Sequence, residues 1–163
     1  MPLREIDTGT THLLARLEAG VLTLTLNRPE ARNAMSIGML TALSERLALA
    51  ETDDDVRCVV LTGTGKAFCA GGDVKGMAAE GDGVGGSITI DSAIHRQRLA
   101  QRATAGKLFR MPKPTIAAIN GAAAGAGLSL ALACDLRIMS TAAFMMTALP
   151  RSGSRVTSAV LIS

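Results

Sequence analysis

PTIAAINGAAAGAGLSLALACD, residues 114–135, is the stretch that decides how the rest of the chain is read. Thr115 to Ile119 forms a short apolar run of strand length. Asn120 and Gly121 interrupt it, a small-residue turn holding Gly125 and Gly127 follows, and an apolar segment from Leu128 to Cys134 ends at Asp135. The order predicts strand, glycine turn and buried helix. Glycine lacks a Cβ, so the backbone can turn sharply or come close to a ligand. A helix beginning there leaves its first N–H groups unpaired and directed into the turn, where an anionic oxygen would suit them. A tight turn or close helix packing explains the same glycines without any ligand. A membrane span needs about 20 predominantly apolar residues. Here Ala and Gly dominate, Asn120 sits inside, and Pro114 and Asp135 bound the run, so a buried α/β segment fits better and no membrane partner is expected.

The 163 residues suffice for one domain with a real core. The formal charge is +3, with Lys and Arg scattered rather than blocked. Trp and Tyr are absent and the aromatics are Phe68, Phe109 and Phe144, which leaves nothing for base stacking. A nucleic-acid face is therefore not expected. Cys58, Cys69 and Cys134 match no metal or redox spacing, and residues 1–20 lack the apolar core of a signal peptide. Reduced thiols in a cytoplasmic protein, with no resident metal or cofactor, are the expectation.

Outward from that stretch, residues 12–20 and VLTLTL, Val21 to Leu26, read as an opening hairpin. Arg28-Pro29-Glu30 breaks the second strand. Ser36 is the expected N-cap of a helix to about Leu49, striped by Met39, Leu40, Leu43 and Leu47. Asp53 to Asp55 reads as a solvated turn. Val56 to Leu61 is β-branched and nearly continuous, as in a parallel strand covered on both sides. TGTGKAF lacks the GxxxxGK[ST] spacing, so a phosphate loop of that type is rejected. Gly71-Gly72-Asp73 forms a second glycine turn at the carboxyl end of a strand, where open α/β sheets place ligands. Residues 76–91, with Gly76, Gly81, Gly83, Gly85 and Gly86, read as a mobile loop or lid. A helix with a basic side (Arg96, Arg98, Arg102, Lys107) is expected over Ser92 to Phe109, and Pro112 and Pro114 close it. Leu136 to Met139 reads as one more strand. The alternation of strands and helices is that of an α/β domain.

If the strands before the two glycine turns are neighbours, the turns near Gly72 and Ala126 each aim one backbone N–H at a shared point and form an oxyanion hole. Proton transfer there would need a carboxylate or imidazole. His12, on an expected edge strand, and His95 read as isolated surface histidines. Asp73 and Asp135 read as caps or turn-fixing residues, and no Ser-His-Asp set is recognisable.

LTLNRPEARNAM (24–35), VVLTGTGKAFCAGGDV (59–74) and PKPTIAAINGAAAGAGLSLALACDLRI (112–138) resemble the enoyl-CoA hydratase/isomerase, or crotonase, superfamily, and the resemblance covers about residues 12–144. It implies a crotonase-like spiral of ββα units, here the N-terminal core only (1–149), usually assembled as trimers or dimers of trimers. It implies acyl-CoA thioester substrates, with CoA arriving as part of the substrate. The implied oxyanion donors are the N–H groups of Gly72 and Ala126. The implied CoA-contacting residues are Arg28, Ala31, Arg32, Ala70, Gly71 and Asp73, with Lys66 toward the CoA phosphates. Ser129 stands where typical hydratases carry one glutamate, and Thr147-Ala148-Leu149 supplies no second. Serine is no base near neutrality without a partner. The pattern resembles the isomerase branch, whose proton-shuttling Asp lies slightly further along. Two alternatives stand open: isomerase-type proton transfer in place of hydration, or an inactive remnant that binds CoA thioester weakly or only self-associates. From Pro150 the chain leaves the family pattern. With codons chosen freely for Arg151 to Ser163, reading two bases later yields Val-Gly-Phe-Ser-Gly-Asp-Phe-Gly-Gly-Thr-Tyr-Phe, which resembles the family's next segment. Residues 150–163 are thus expected to be a frameshift-derived tail, and altered self-association is expected to cover the apolar surface left exposed.

Overall fold

The protein is described by a computed structural model over residues 3–73 and 90–147. Its first turns follow from local chemistry. β1 (Arg4–Ile6) pairs antiparallel with β2 (Leu13–Glu18), and β2 with β3 (Val21–Leu26). The β2–β3 connection is the two-residue turn Ala19-Gly20, with φ of 51° and 84°. Two consecutive left-handed residues match the twist of the flanking strands and hold Leu17 opposite Leu22. Leu22, Leu24 and Leu26 are buried while Val21, Thr23 and Thr25 are half-buried, as period-two alternation requires.

After Pro29 comes one 3-10 turn (Pro29–Ala31), then α1 (Ile37–Thr52). The Ser36 Oγ accepts from the Met39 N–H, so the expected N-cap is correct. The helix runs three residues beyond the expected end. Lys113 Nζ donates to the Ala50 and Asp53 carbonyls at 2.7 and 2.6 Å, supplying a cation to the helix C-terminus. Met39, Leu43 and Leu47 are fully buried, and α1 packs on β2 and β3.

β4 (Cys58–Gly63), β6 (Thr115–Ile119) and β8 (Leu136–Met139) extend the sheet in parallel, giving the order β1-β2-β3-β4-β6-β8. A smaller parallel sheet, β5-β7-β9, is made of β5 (Ala67–Cys69), β7 (Ala122–Ala124) and β9 (Met145–Met146). Residues 90–110 form α2 (Ile90–Ala103) and α3 (Ala105–Phe109), broken at buried Thr104, whose hydroxyl returns to the Ala100 carbonyl. α4 spans Ala126–Ala133.

Some expectations need correction. The strand begins at Cys58, not Val56, and is covered fully on one face only: Val59 and Leu61 are buried, Val60 and Cys58 less so. A strand, β7, separates Asn120-Gly121 from the glycine turn, so the chain changes sheets before the helix starts. The helix is half-exposed, not buried: Leu130 and Ala131 are covered, but Leu132 is 44% exposed. The expected strand Leu136 to Met139 is present as β8; it ends the sheet order among the described residues, and all four of its residues are exposed. His12 also precedes an interior strand rather than an edge strand, because β1 lies outside it. Among the described residues no helix is long and apolar enough to cross a membrane, and no cluster of His, Cys, Asp and Glu could hold a metal ion. The glycine-rich segment proposed as a lid (76–89 of it) and the tail 150–163 lie outside the described residues.

Candidate functional site

Three loops meet at the carboxyl ends of β3, β5 and β7. The first, residues 27–35, follows β3. Arg32 and Asn33 both have positive φ, 51° and 56°. Such a pair is strained for non-glycine residues, and the Asn33 side chain offsets the strain. It is fully buried. Its Oδ1 accepts from the Arg28 N–H at 2.8 Å, and its Nδ2 donates to the Thr64 and Ala67 carbonyls at 2.9 and 2.8 Å. Asn120 fastens the same Gly63–Ala67 turn from the other side: its Oδ1 accepts from the Gly63 N–H, and its Nδ2 donates to the carbonyls of Gly65 and Ala67. In the sequence Asn120 reads only as an interruption of the apolar run, and Asn33 does not stand out. A buried amide that satisfies several backbone groups has no motif, only a polar letter in a turn.

The second loop, Ala70–Asp73, follows β5 and is clasped by the first. Ala70 N–H donates to the Arg32 carbonyl (3.0 Å), Met35 N–H to the Gly71 carbonyl (2.8 Å), and Asp73 N–H to the Met35 carbonyl (3.1 Å). The Arg28 Nη1 donates to both the Ala34 carbonyl and the Asp73 Oδ2, each at 2.8 Å. Both charged side chains are largely covered, at 16% and 19% exposure.

The third loop starts α4. Gly125 has φ 52° and ψ −119° and precedes the first helical residue, Ala126. A Cβ added to Gly127 would lie 2.3 Å from the Cys69 carbonyl oxygen, and one on Gly121 would lie 2.1 Å from the Lys66 carbonyl oxygen. Only glycine permits these approaches. The two glycine turns face each other: a Cβ on Gly71 would sit 3.3 Å from the Ala124 carbonyl oxygen and 3.6 Å from the Ala126 nitrogen. β5 and β7 are paired neighbours, which is why the turns meet.

Peptide planarity fixes where the two amides point. In a trans peptide the C=O and N–H are opposed. The Gly71 carbonyl takes the Met35 N–H, so the Gly72 N–H is directed away from Met35. The Gly125 carbonyl takes the Ser129 N–H at 3.1 Å, so the Ala126 N–H is directed out of the helix N-terminus. Among the described residues neither amide has a hydrogen-bond acceptor.

The remaining named positions divide. Ala31 and Ala70 line the clasp and are half-buried, whereas Arg32 and Lys66 are exposed, Lys66 on the turn after β4. Ser129 is exposed, and its Oγ approaches the Gly125 carbonyl at 3.4 Å. It presents no acid. Burial pushes the Cys69 thiol up to about 11, so it offers no thiolate at neutral pH. His12 Nδ1 pairs with Ser36 Oγ at 2.8 Å at the start of α1, and His95 is exposed on α2.

Comparison with known proteins gives one consistent result. The family described as enoyl-CoA hydratase/isomerase matches residues 16–160. YngF of Bacillus subtilis, named for enoyl-CoA hydratase/isomerase, is 47% identical over 131 residues, covering 80% of this chain and 46% of its own length. The 1,2-epoxyphenylacetyl-CoA isomerase of Escherichia coli is 39% identical over 141 residues, covering 86% and 52%. The solved structure of Pseudomonas aeruginosa PA4980 superposes with a TM-score of 0.73 at 44% identity, covering 83% of this chain and 55% of that one. The chain spans about half the length of the curated relatives it matches. The expected architecture, an N-terminal core of this fold, is therefore correct.

Proposed function

The chain belongs to the enoyl-CoA hydratase/isomerase family, and on that premise we propose that it binds acyl-CoA thioesters and polarises the thioester carbonyl between the Gly72 and Ala126 amides. The observation that carries this reading is the pair of unengaged N–H groups on two turns held in contact, each aimed by an anchored carbonyl of its own peptide. Charge develops on the thioester oxygen as an enolate forms, and fixed donors stabilise that charge more than the neutral carbonyl; one such donor is typically worth about 3–4 kcal/mol.

Ser129 counts against addition of water, since its hydroxyl turns back on the helix and supplies no carboxylate, and proton transfer of the isomerase type would need a carboxylate or imidazole other than this residue to take the proton. The same residue favours a second reading, in which the chain binds CoA thioester without turnover. Three free thiols, two of them buried, support a cytoplasmic setting. The exposed apolar residues of β8 and β9, among them Leu136, Ile138 and Met146, support a homo-oligomer that covers them.

The test uses crotonyl-CoA labelled with 13C at the thioester carbonyl. The infrared carbonyl band of the bound ligand should move to lower frequency. Ala126→Pro deletes that amide at the first helical position, where proline is tolerated, and should abolish most of the movement. Gly72→Ala keeps its amide and meets nothing within 4 Å, so the movement should persist. A bound carbonyl with its free-ligand frequency refutes the proposal. Rates with 2-enoyl- and 3-enoyl-CoA then separate turnover from binding alone.

A further inference from the structure

We infer that Arg28 is a positioning residue that acts on the Gly72 amide through two peptide groups in series, and not a phosphate ligand for CoA; the inference rests on the thioester reading above. The relay is continuous. Arg28 Nη1 donates to the Ala34 carbonyl, whose peptide partner is the Met35 N–H. Met35 N–H donates to the Gly71 carbonyl, whose peptide partner is the Gly72 N–H. Both hydrogen bonds are 2.8 Å. Each peptide is a rigid dipole with opposed ends, so the two lie head to tail between the guanidinium and the Gly72 proton. Hydrogen bonds in such chains polarise one another. A permanent cation at the carbonyl end draws electron density along the chain and makes the last N–H a stronger donor. It also fixes that donor's direction, because neither peptide can rotate without breaking a bond in the relay.

The guanidinium is held for this task. Its Nη1 also meets Asp73 Oδ2 at 2.8 Å, and the Asp73 N–H returns to the Met35 carbonyl, closing the clasp on the far side of Gly72. The Arg28 Nε is inaccessible to solvent and 3.9 Å from Glu30 Oε1. A side chain 16% exposed and turned inward is poorly placed for a phosphate arriving from solvent. Arg32 and Lys66, both exposed, are better placed to meet it.

The experiment compares wild type, Arg28→Gln and Arg28→Lys with two ligands, free CoA and crotonyl-CoA labelled at the thioester carbonyl. Free CoA should bind all three within about twofold, because no phosphate contact has been removed. The carbonyl band shift should fall by at least half in Arg28→Gln and recover in Arg28→Lys, which keeps a charged donor for the Ala34 carbonyl. In the free proteins the Gly72 amide proton resonance should move upfield in Arg28→Gln, a readout that needs no ligand and shows the relay even where binding is weak. A full wild-type shift in Arg28→Gln overturns the relay. So does a loss of free-CoA affinity beyond about tenfold with the shift per bound ligand unchanged, which is the signature of a phosphate contact. A wild-type protein that binds CoA but shifts no carbonyl overturns the thioester reading and the relay together, which separates that failure from failure of the relay alone.

Discussion

Replacing Gly127 by alanine tests the contact on which the site's geometry depends. Gly127 is the second residue of α4 and rests on β5. The added methyl carbon would lie 2.3 Å from the Cys69 carbonyl oxygen, 2.6 Å from the Cys69 Cβ and 2.9 Å from the Cys69 carbonyl carbon. All three are below 3.0 Å, a distance real Cβ atoms essentially never show, and two of the three atoms are backbone. Relief therefore requires α4 and β5 to part by roughly 1 Å, and close-packed interiors resist such shifts at a cost of about 1–3 kcal/mol. Alanine returns about 1 kcal/mol of helix propensity. Cys69 is fully buried and paired through β5 to β7, so we take the steric cost at the top of that range and expect a net loss of about 2 kcal/mol. In a chain of this size that is a fall in Tm of about 4–8 °C. Urea unfolding, followed by far-UV circular dichroism, measures it against Gly72→Ala, which meets nothing within 4 Å and should match wild type within about 0.5 kcal/mol. Gly127→Ala as stable as wild type, or more stable, would refute the packing argument, since propensity alone predicts a gain.

Asn33→Ala should be more damaging. It strips the Arg28 amide and the Thr64 carbonyl of their partner beneath the clasp, and urea unfolding should show a loss of about 3 kcal/mol. Ala19→Asn should act in the opposite direction, because asparagine tolerates the left-handed φ of 51° that alanine adopts there; a gain of about 0.5–1 kcal/mol is expected in the same assay. Alkaline pH should destabilise the fold. Burial raises Cys69 and Cys134 from 9.0 to about 11, so between those values the unfolded chain has released protons that the native state retains. Stability contributed by the neutral buried thiols is then complete below about pH 9 and lost as pH rises through 11. The urea midpoint should fall as pH rises from 9 toward 11; a midpoint that stays flat over that range would contradict this, and Cys69→Ala with Cys134→Ala should flatten the wild-type fall.

The hairpin, α1 with its Ser36 cap and the strand Thr115 to Ile119 were legible because each has a local signal: alternation, a capping hydroxyl with an apolar stripe, a bounded apolar run. The short strands were not. β1, β5, β7 and β9 are two or three residues long, too short for any period, and they exist only because a neighbour offers a pairing edge. The half-exposure of α4 was likewise hidden. Its sequence, AGLSLALA, is apolar all round, which reads as burial, but α3 and the strands β5, β6 and β7 pack against it and leave Leu132 exposed.

The candidate site divides in the same way. Glycine at 71, 72, 125 and 127 announced two tight turns in the sequence, and the family motifs named Gly72 and Ala126. That Gly71 sits against the start of α4 was decided by the pairing of β5 with β7, a contact between residues more than fifty positions apart. The role of Arg28 turned on the same kind of information. In the sequence it is one basic residue beside a proline, equivalent to Arg32. In the structure the left-handed pair at Arg32 and Asn33 folds the loop back, brings the Ala34 carbonyl to the guanidinium and leaves Arg32 outside. The sequence by itself determined which residues can turn, cap and bury, because those are properties of single side chains and their nearest neighbours. Which way the Gly72 amide points was decided by the tertiary structure alone, because a peptide's orientation depends on the partner that holds its other end, and Met35 comes from another loop.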